Sequence, residues 1–227
     1  MRYSIMNEME ILRRVDHTMI KPAASWEDIK RACDEAMSCN CATVVVPNVY
    51  VRKVKLYTQG MIKIDTLAGF PYGYNTTESK CYEAAMAIKD GADEIDMVAS
   101  VCNIKNERYD YVLNELKAMR EVCQDKVLKV IIETCLLTDD EKIKLCELVS
   151  ESGCDYIKTS TGFVGQGATP RDVKLLVDHV SGKTKVKASG GIDSFEQAGN
   201  YLKLGADRIG ASRLVAAYKK KIAAVSD

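Results

Sequence analysis

The sequence is poor in several residue types that mark particular classes of protein. It has two histidines, His17 and His179, far apart along the chain, so a zinc site has few candidate ligands. Its nine cysteines are odd in number and include no Cys-x-x-Cys pair, which favours reduced thiols over a disulfide framework. No apolar run approaches the length that spans a membrane, and the charged N-terminus lacks the apolar core of a signal peptide. We therefore expect a cytoplasmic protein without a bound metal.

An excess of either charge is also lacking. The chain has 227 residues, in which 32 Lys and Arg balance 32 Asp and Glu. Composition therefore gives no reason to expect nucleic acid or an anionic membrane as a partner. An anionic ligand would have to be bound locally, by loops or by single cations.

What the sequence does contain is a regular alternation of short apolar runs with segments of helical period. The runs predict eight strands, at 15–18, 43–47, 62–68, 94–99, 128–134, 156–160, 185–189 and 208–211. Helices are predicted at 25–39, 49–58, 76–89, 108–123, 139–151, 170–179, 194–203 and 212–223.

This alternation runs through the chain without a Pro/Gly/Ser-rich linker. We therefore predict one α/β domain over 1–227, with a short additional helix in 1–14 and a closed (β/α)8 TIM barrel over 15–223. An open doubly wound sheet is the alternative.

Two similar phrases, each after a predicted strand, carry the clearest functional signal. They are Lys158-Thr-Ser-Thr-Gly162 and, 29 residues later, Lys187-Ala-Ser-Gly-Gly191. Adjacent parallel strands would point both ammonium groups into one pocket, at the end of the barrel where active sites lie. Alternation along the fourth strand turns Asp96 toward the same interior. The ordinary alternative is a lysine that is solvated or paired with a carboxylate such as Asp96 or Glu133.

The reason to expect chemistry from this trio is the protonation state of lysine. A free lysine has a pKa of roughly 10.4 and is too fully protonated at neutral pH to attack a carbonyl. Burial and a second ammonium nearby lower that pKa, which is how an imine-forming lysine arises. Asp96 would then keep the second lysine charged and relay protons with it.

Glycine-rich loops follow the last two predicted strands. Gly190 and Gly191 follow the seventh strand, and Ser212 and Arg213 follow the eighth and open the last helix. Such loops are the usual phosphate site of these barrels, because glycine allows close backbone approach and a helix N-terminus offers free amides. Gly162 would complete the cradle. Arg213 would either contact the phosphate or face solvent.

Several phrases together resemble the deoxyribose-phosphate aldolase family. They span almost the whole chain, and their joint order is more specific than any one of them. The phrases are Asp16-His-Thr18 with Lys21-Pro22, Gly69-Phe-Pro-Tyr-Gly73, Gly91-Ala-Asp-Glu-Ile-Asp-Met97, Ile131-Ile-Glu-Thr134, Tyr156-Ile-Lys-Thr-Ser-Thr-Gly162, Val186-Lys-Ala-Ser-Gly-Gly191 and Arg208-Ile-Gly-Ala-Ser212.

The resemblance implies a class I aldolase without metal or cofactor. Such an enzyme cleaves 2-deoxy-D-ribose 5-phosphate reversibly to D-glyceraldehyde 3-phosphate and acetaldehyde. The resemblance implies a small sugar phosphate as the partner, and a homodimer is a candidate assembly. The implied roles are the imine lysine for Lys158, its activating neighbour for Lys187, the proton relay for Asp96, substrate binding for Asp16, and phosphate binding for Gly162, Gly190, Gly191 and Ser212. We further expect Thr18 and Thr161 to bind substrate and Arg213 to bind phosphate.

Departures from the family pattern leave two alternatives open. The second strand reads Val45-Val-Pro-Asn48 where relatives commonly have a cysteine at the position of Val45, and Arg213 stands where a second small residue often follows the serine. These motivate an imine-forming enzyme for another sugar phosphate, similar to transaldolase. The poorly matching Ala99-Ser-Val-Cys-Asn103 segment motivates a barrel that binds sugar phosphates without catalysis.

Overall fold

Eight parallel strands close into a barrel in the computed structural model, which describes residues 6–226. Each strand pairs with the next one along the chain, and the eighth pairs with the first. The TIM barrel predicted from the alternation is therefore confirmed. The strands are β1 (Val15–Thr18), β2 (Thr43–Val45), β3 (Lys63–Ala68), β4 (Glu94–Val98), β5 (Val127–Ile131), β6 (Tyr156–Lys158), β7 (Lys185–Ser189) and β8 (Arg208–Ala211).

Helices surround the barrel and lie between successive strands. They are α1 (Glu8–Leu12), α2 (Trp26–Ser38), α3 (Val51–Thr58), α4 (Thr77–Asp90), α5 (Val101–Lys105), α6 (Tyr109–Cys123), α7 (Asp139–Glu151), α8 (Pro170–His179), α9 (Phe195–Lys203) and α10 (Leu214–Ser226). The predicted N-terminal helix corresponds to α1, and the part of that prediction at 1–5 lies outside the described residues. Among residues 6–226, no helix is both long and apolar enough to cross a bilayer.

The helix boundaries follow from local chemistry. Five helices begin after a Ser or Thr whose side chain accepts a backbone N–H of the first turn, at Ser25, Thr76, Thr138, Thr169 and Ser194. Helix α4 ends at Gly91, whose φ of 112° suits glycine far better than other residues. Four strands, β2, β4, β5 and β6, end earlier than predicted. Pro47, which has no N–H to donate, follows the shortened β2.

Strand register determines which side chains meet inside the barrel. Asp96 pairs with Lys129 in the β4–β5 ladder, and Lys158 pairs with Lys187 in the β6–β7 ladder. The neighbours of Asp96 on its strand, Ile95 and Met97, belong to the apolar core. Alternation therefore sends apolar side chains outward to the helices and charged ones into the barrel.

Candidate active site

The three residues predicted to carry chemistry lie in contact inside the barrel. Lys158 Nζ and Lys187 Nζ each donate to the same oxygen, Asp96 Oδ2, at 2.7 Å. Asp96 is fully buried, and the two lysines are 6% and 1% exposed. Two ammonium groups on one carboxylate oxygen must lie close together, so the protonation of one depends on that of the other.

Burial and neighbouring charges move the two lysine pKa values in opposite directions. The pKa of Lys158 is lowered by burial and by the charge of Lys187, and Asp96 opposes this only in part. Burial also disfavours the charged form of Lys187, but Asp16 and Asp96 outweigh it and raise its pKa. Lys158 is therefore the lysine that loses its proton more readily, and Lys187 stays charged beside it.

Asp96 is held in its ionised form. Burial alone would raise its pKa, but the surrounding lysines, Lys129 first and then Lys158 and Lys187, hold that pKa well below its usual range. Asp96 can therefore accept hydrogen bonds from both lysines across the neutral pH range.

A layer of charged residues below this trio was missed in the sequence. Lys129 Nζ lies 2.6 Å from Asp65 Oδ2, 2.7 Å from Asp96 Oδ1 and 2.9 Å from Glu94 Oε2. Arg208 approaches the layer from β8, 3.2 Å from Glu94. A signal was present: Lys129 interrupts the apolar run of β5, and Glu94 lies two residues before Asp96, on the same face of its strand.

Three carboxylates in this layer approach each other closely enough to hold a metal ion. Asp16, Asp65 and Glu94 each place one oxygen within 4.8 Å of the others. The ammonium of Lys129 contacts all three, at 3.7, 2.6 and 2.9 Å. A side-chain cation thus already lies among these carboxylates.

A cavity of about 330 Å³ opens above Lys158 at the C-terminal end of the strands. It brings together Lys158 and seven further residues predicted for the site, namely Thr18, Thr161, Gly162, Gly190, Gly191, Ser212 and Arg213. The other three predicted residues, Asp16, Lys187 and Asp96, are buried beneath it, where Lys187 Nζ lies 2.5 Å from Asp16 and 2.7 Å from Asp96. The nucleophile candidate thus lies between an open cavity and a buried charge network.

The glycines of the cavity wall adopt backbone conformations that suit a close approach to an anion. Gly162, Gly190 and Gly191 have φ values of 80°, 90° and 70°. A Cβ on Gly190 would lie 2.9 Å from the Cα of Gly167, so the two loops pack backbone to backbone. Side chains at these positions would be strained and would fill the cradle.

The loop that follows β6 is anchored by Glu133. This buried carboxylate accepts hydrogen bonds from the backbone N–H of Thr161, at 3.1 Å, and from its hydroxyl. Thr161 Oγ1 in turn accepts from Phe163 N at 3.1 Å. Glu133 itself has a left-handed φ of 53°, which is unusual for a residue other than glycine.

Arg213 lies at the mouth of the cavity. Its guanidinium donates to Asp193 Oδ2 at 2.7 Å, and its side chain is 71% exposed. The atypical Val45 lines the cavity wall together with Leu67. A direct contact of Arg213 with phosphate stays a prediction.

Comparison with known proteins places this geometry in a family. Residues 11–220 match the family model described as DeoC/LacD family aldolase. A deoxyribose-phosphate aldolase from Clostridioides difficile (strain 630) is 50% identical over 204 residues, 90% of this chain and 93% of that protein. One from Clostridium botulinum (strain Eklund 17B / Type B) is 47% identical over 94% of this chain and 97% of its own.

A solved structure extends the likeness to three dimensions. The tetrameric deoxyribose phosphate aldolase from Aeropyrum pernix superposes with a TM-score of 0.87 at 29% identity, covering 94% of this chain and 92% of its own. The family match spans nearly all of the barrel that carries the two lysines. The chain therefore belongs to the DeoC/LacD family of aldolases.

Proposed function

We propose that this protein is a class I aldolase that cleaves 2-deoxy-D-ribose 5-phosphate reversibly to D-glyceraldehyde 3-phosphate and acetaldehyde, through an imine on Lys158. One observation carries the proposal: Lys158 lies at the cavity with a lowered pKa, and it shares Asp96 Oδ2 with a charged Lys187. The substrate is inferred from the relatives, which are named for it.

The first step is formation of the imine. The neutral Lys158 amine attacks the C1 aldehyde of the open-chain sugar, and the resulting carbinolamine loses water to give a cationic imine. Lys187 lies close enough to supply a proton to the departing hydroxyl, because both lysines contact Asp96 Oδ2. Asp96 holds Lys187 in its charged form and orients it.

Cleavage follows because the cationic imine withdraws electrons. As the bond between C2 and C3 breaks, its electron pair moves toward the imine nitrogen and leaves a neutral enamine. The C3 hydroxyl loses its proton to the Asp96 and Lys187 network or to a water, and glyceraldehyde 3-phosphate departs. Protonation of the enamine at C2 and hydrolysis then release acetaldehyde and regenerate Lys158.

The glycine loops would bind the other end of the substrate. Gly162, Gly190, Gly191 and Ser212 surround the same cavity as Lys158, so a phosphate held there leaves the aldehyde end of the sugar to reach the amine. Binding energy from the phosphate would then position the reacting carbon. Thr18 and Thr161 lie at the cavity wall and would contact the sugar.

Trapping the imine tests the proposal directly. The protein is incubated with 2-deoxy-D-ribose 5-phosphate and borohydride, digested, and the adduct is located by mass spectrometry. We expect one reduced adduct, on Lys158. A matched control is Lys185→Arg, at a lysine that is 54% exposed and two residues before Lys187. It should still form the adduct, whereas Lys158→Arg should not. An adduct elsewhere, or none, would contradict the proposal.

Substrate choice is tested by rate comparison. Turnover of deoxyribose phosphate should exceed that of longer ketose phosphates, which a transaldolase-like enzyme would prefer. Equal and negligible lyase activity of the wild type and Lys158→Ala, together with sugar-phosphate binding, would instead identify a non-catalytic barrel. The homodimer stays a prediction, which analytical ultracentrifugation would test.

A further inference from the structure

The barrel interior around Lys158 contains equal numbers of buried acidic and basic side chains. Four acids and four bases meet there, each side chain no more than 14% exposed. With all of them ionised, four negative charges cancel four positive ones. The eight residues, from seven of the eight strands, are Asp16, Asp65, Glu94, Asp96, Lys129, Lys158, Lys187 and Arg208.

A nucleophilic Lys158 disturbs this balance. When its amine is neutral, three positive charges face four negative ones, and the interior carries an unpaired buried charge. Such a charge is costly where water cannot solvate it. The balance is restored if one of the four acids carries a proton whenever Lys158 does not.

Two of the acids are poorly suited to hold that proton. Asp96 accepts from three ammonium groups, each at 2.7 Å. Asp16 lies 2.5 Å from Lys187 Nζ and 2.6 Å from Arg208, and it also accepts the hydroxyl of Thr43. Both carboxylates are thus surrounded by donors that favour the ionised form.

Asp65 has fewer donors than Asp96 or Asp16. Its Oδ2 contacts Lys129 at 2.6 Å and Lys187 at 3.3 Å, and both lysines are shared with other carboxylates. Its Oδ1 is buried and accepts no hydrogen bond from any residue in 6–226.

Glu94 also has one such oxygen, Oε1, but its other oxygen lies 3.2 Å from Arg208, which keeps its charge at any accessible pH. Burial, and next the charge of Asp96, raise the pKa of Asp65 to about 7. This raised pKa agrees with the small number of donors around the Asp65 carboxylate.

We infer that Asp65 is the proton store of the site, an inference that rests on the proposed imine at Lys158. Asp65 holds the proton that Lys158 gives up, and it releases this proton when the Lys158 nitrogen becomes a cationic imine. The two groups exchange one charge, so the interior stays neutral through the reaction. Asp65 acts through Lys187 and does not line the cavity, so it is a positioning residue.

The step balances in atoms and charge. A neutral Lys158 amine and the aldehyde form a carbinolamine, and its hydroxyl leaves as water with a proton from Lys187. Lys187 recovers that proton from Asp65 Oδ2, 3.3 Å away. The products are a cationic imine, one water and an Asp65 carboxylate. When carbon–carbon cleavage turns the imine into a neutral enamine, the proton lost by the C3 hydroxyl returns to Asp65 by the same route.

Infrared difference spectroscopy on the wild-type protein tests this without any variant. Formaldehyde is the probe, because it has no α-hydrogen and its imine cannot become a neutral enamine. With aspartate labelled by ¹³C, we expect a protonated aspartic-acid carbonyl band in the resting protein near neutral pH. Adding formaldehyde should convert that band into a carboxylate band, one per Lys158 adduct found by mass spectrometry.

Three variants assign the band. Asp65→Asn should lack it, and its borohydride-trapped fraction should fall about tenfold, the effect of one charge interaction worth one pKa unit. Glu94→Gln removes another acid of the same layer and should retain the band and its conversion. Lys158→Met cannot form the imine at this position, so adding formaldehyde should leave its aspartic-acid band unchanged.

The outcomes separate this inference from the proposed function. If no adduct forms on Lys158 in the wild type, the proposed function fails and the proton store with it. If the adduct forms but the resting protein shows no protonated aspartic acid, or the band persists beside the imine, only the inference about Asp65 is overturned. A labelled aspartic-acid band that survives Asp65→Asn would assign the proton to Asp16 or Asp96, and an unlabelled acid band that disappears in Glu94→Gln would assign it to Glu94. Either result overturns the inference about Asp65.

Discussion

Two lysines that donate to one carboxylate oxygen differ in the other carboxylates they touch. Lys187 also contacts Asp16 and Asp65, whereas the ion pair of Lys158 within residues 6–226 is with Asp96. The extra carboxylates raise the pKa of Lys187, and burial lowers that of Lys158. The difference between nucleophile and charged neighbour therefore comes from contacts, because the two side chains are chemically identical.

Removing the charge of Lys187 should move the activity to higher pH. In Lys187→Met the Lys158 amine loses the neighbour that lowers its pKa, so a smaller fraction is neutral at pH 7. We expect kcat/KM for deoxyribose phosphate to fall at least about 100-fold near neutral pH, the scale of losing a general acid–base partner. The acid limb of the pH profile should shift upward.

The control for this prediction lies on the same strand. Lys185→Met removes an exposed lysine of β7 and should leave both the profile and the rate within about twofold of the wild type. A Lys187→Met profile with an unmoved acid limb would show that Lys187 does not influence the protonation of Lys158.

Some of these site residues could be recognised from the sequence and others could not, for a physical reason. Lys158 and Lys187 stand out because each precedes a glycine-containing phrase at the end of a strand, a local pattern. Asp65 and Lys129 have no such mark, and they meet from strands that lie 64 residues apart. Their contact depends on barrel register, which strand patterns do not specify.

Among the elements, the loop after β6 is fixed by a carboxylate from the loop after β5. Glu133 binds both the N–H and the hydroxyl of Thr161, and Gly162 follows immediately. The limits of α7 and α8 could be predicted from their caps, whereas β5 and β6 end three and two residues before their predicted limits. Helix α5 could not be predicted, since its five residues show no helical period. The left-handed turn at Glu133 could not be predicted either, because this conformation is uncommon for residues other than glycine.

Weakening this anchor should affect substrate binding more than chemistry. Glu133→Gln keeps the side-chain shape but replaces a charged acceptor with a neutral amide, so the position of Thr161 and Gly162 becomes less fixed. We expect KM for deoxyribose phosphate to rise about tenfold while kcat changes less than about threefold. Steady-state kinetics measure both, and Glu151→Gln, at a surface glutamate, is the control.

The effect of Glu133→Gln can also be measured with a substrate that carries no phosphate. Borohydride trapping with acetaldehyde, which has no phosphate, should proceed as in the wild type. Equal loss of acetaldehyde trapping and of deoxyribose phosphate turnover would mean that Glu133 supports the lysines and not the phosphate loop.

Close packing of two glycines makes the phosphate loops sensitive to a single methyl group. In Gly190→Ala the new Cβ would lie 2.9 Å from Gly167 Cα, at a φ of 90°. We expect a loss of roughly 2–3 kcal/mol in the free energy of unfolding, and weaker phosphate inhibition.

Gly182→Ala is the matched control, since it has a φ of 64° and nothing within 4 Å of the new Cβ. It should cost only about 1 kcal/mol, the strain of the positive φ alone. Urea unfolding curves measure both variants, and equal losses would show that the contact with Gly167 contributes nothing.

For the whole molecule, closure of the barrel and assembly of the site are one event. The charged interior draws residues from seven strands, and β8 must pair with β1 before Arg208 can reach Asp16. The TIM barrel could be predicted from the alternation because each strand, and at least one helix between successive strands, has a local signature. The interior network could not, since it exists only when the first and last strands meet.

The loss of the site in urea should therefore coincide with global unfolding. We expect the midpoint for borohydride trapping on Lys158 with acetaldehyde to equal the midpoint for loss of circular dichroism, as for a two-state domain. Trapping that disappears at clearly lower urea would reveal that the strand ends open before the barrel does. The control is the exposed Lys185, because its labelling by an amine reagent measures a lysine reactivity that does not depend on folding.

The lowered pKa of one buried lysine also makes the chain an uneven target for electrophiles. At neutral pH the surface lysines are almost all ammonium ions and react slowly, while Lys158 presents a freer electron pair at the floor of an open cavity. Small reactive carbonyl compounds would therefore modify this amine first. The lowered pKa that lets Lys158 react with its substrate would therefore also make Lys158 the residue at which other aldehydes inactivate the protein.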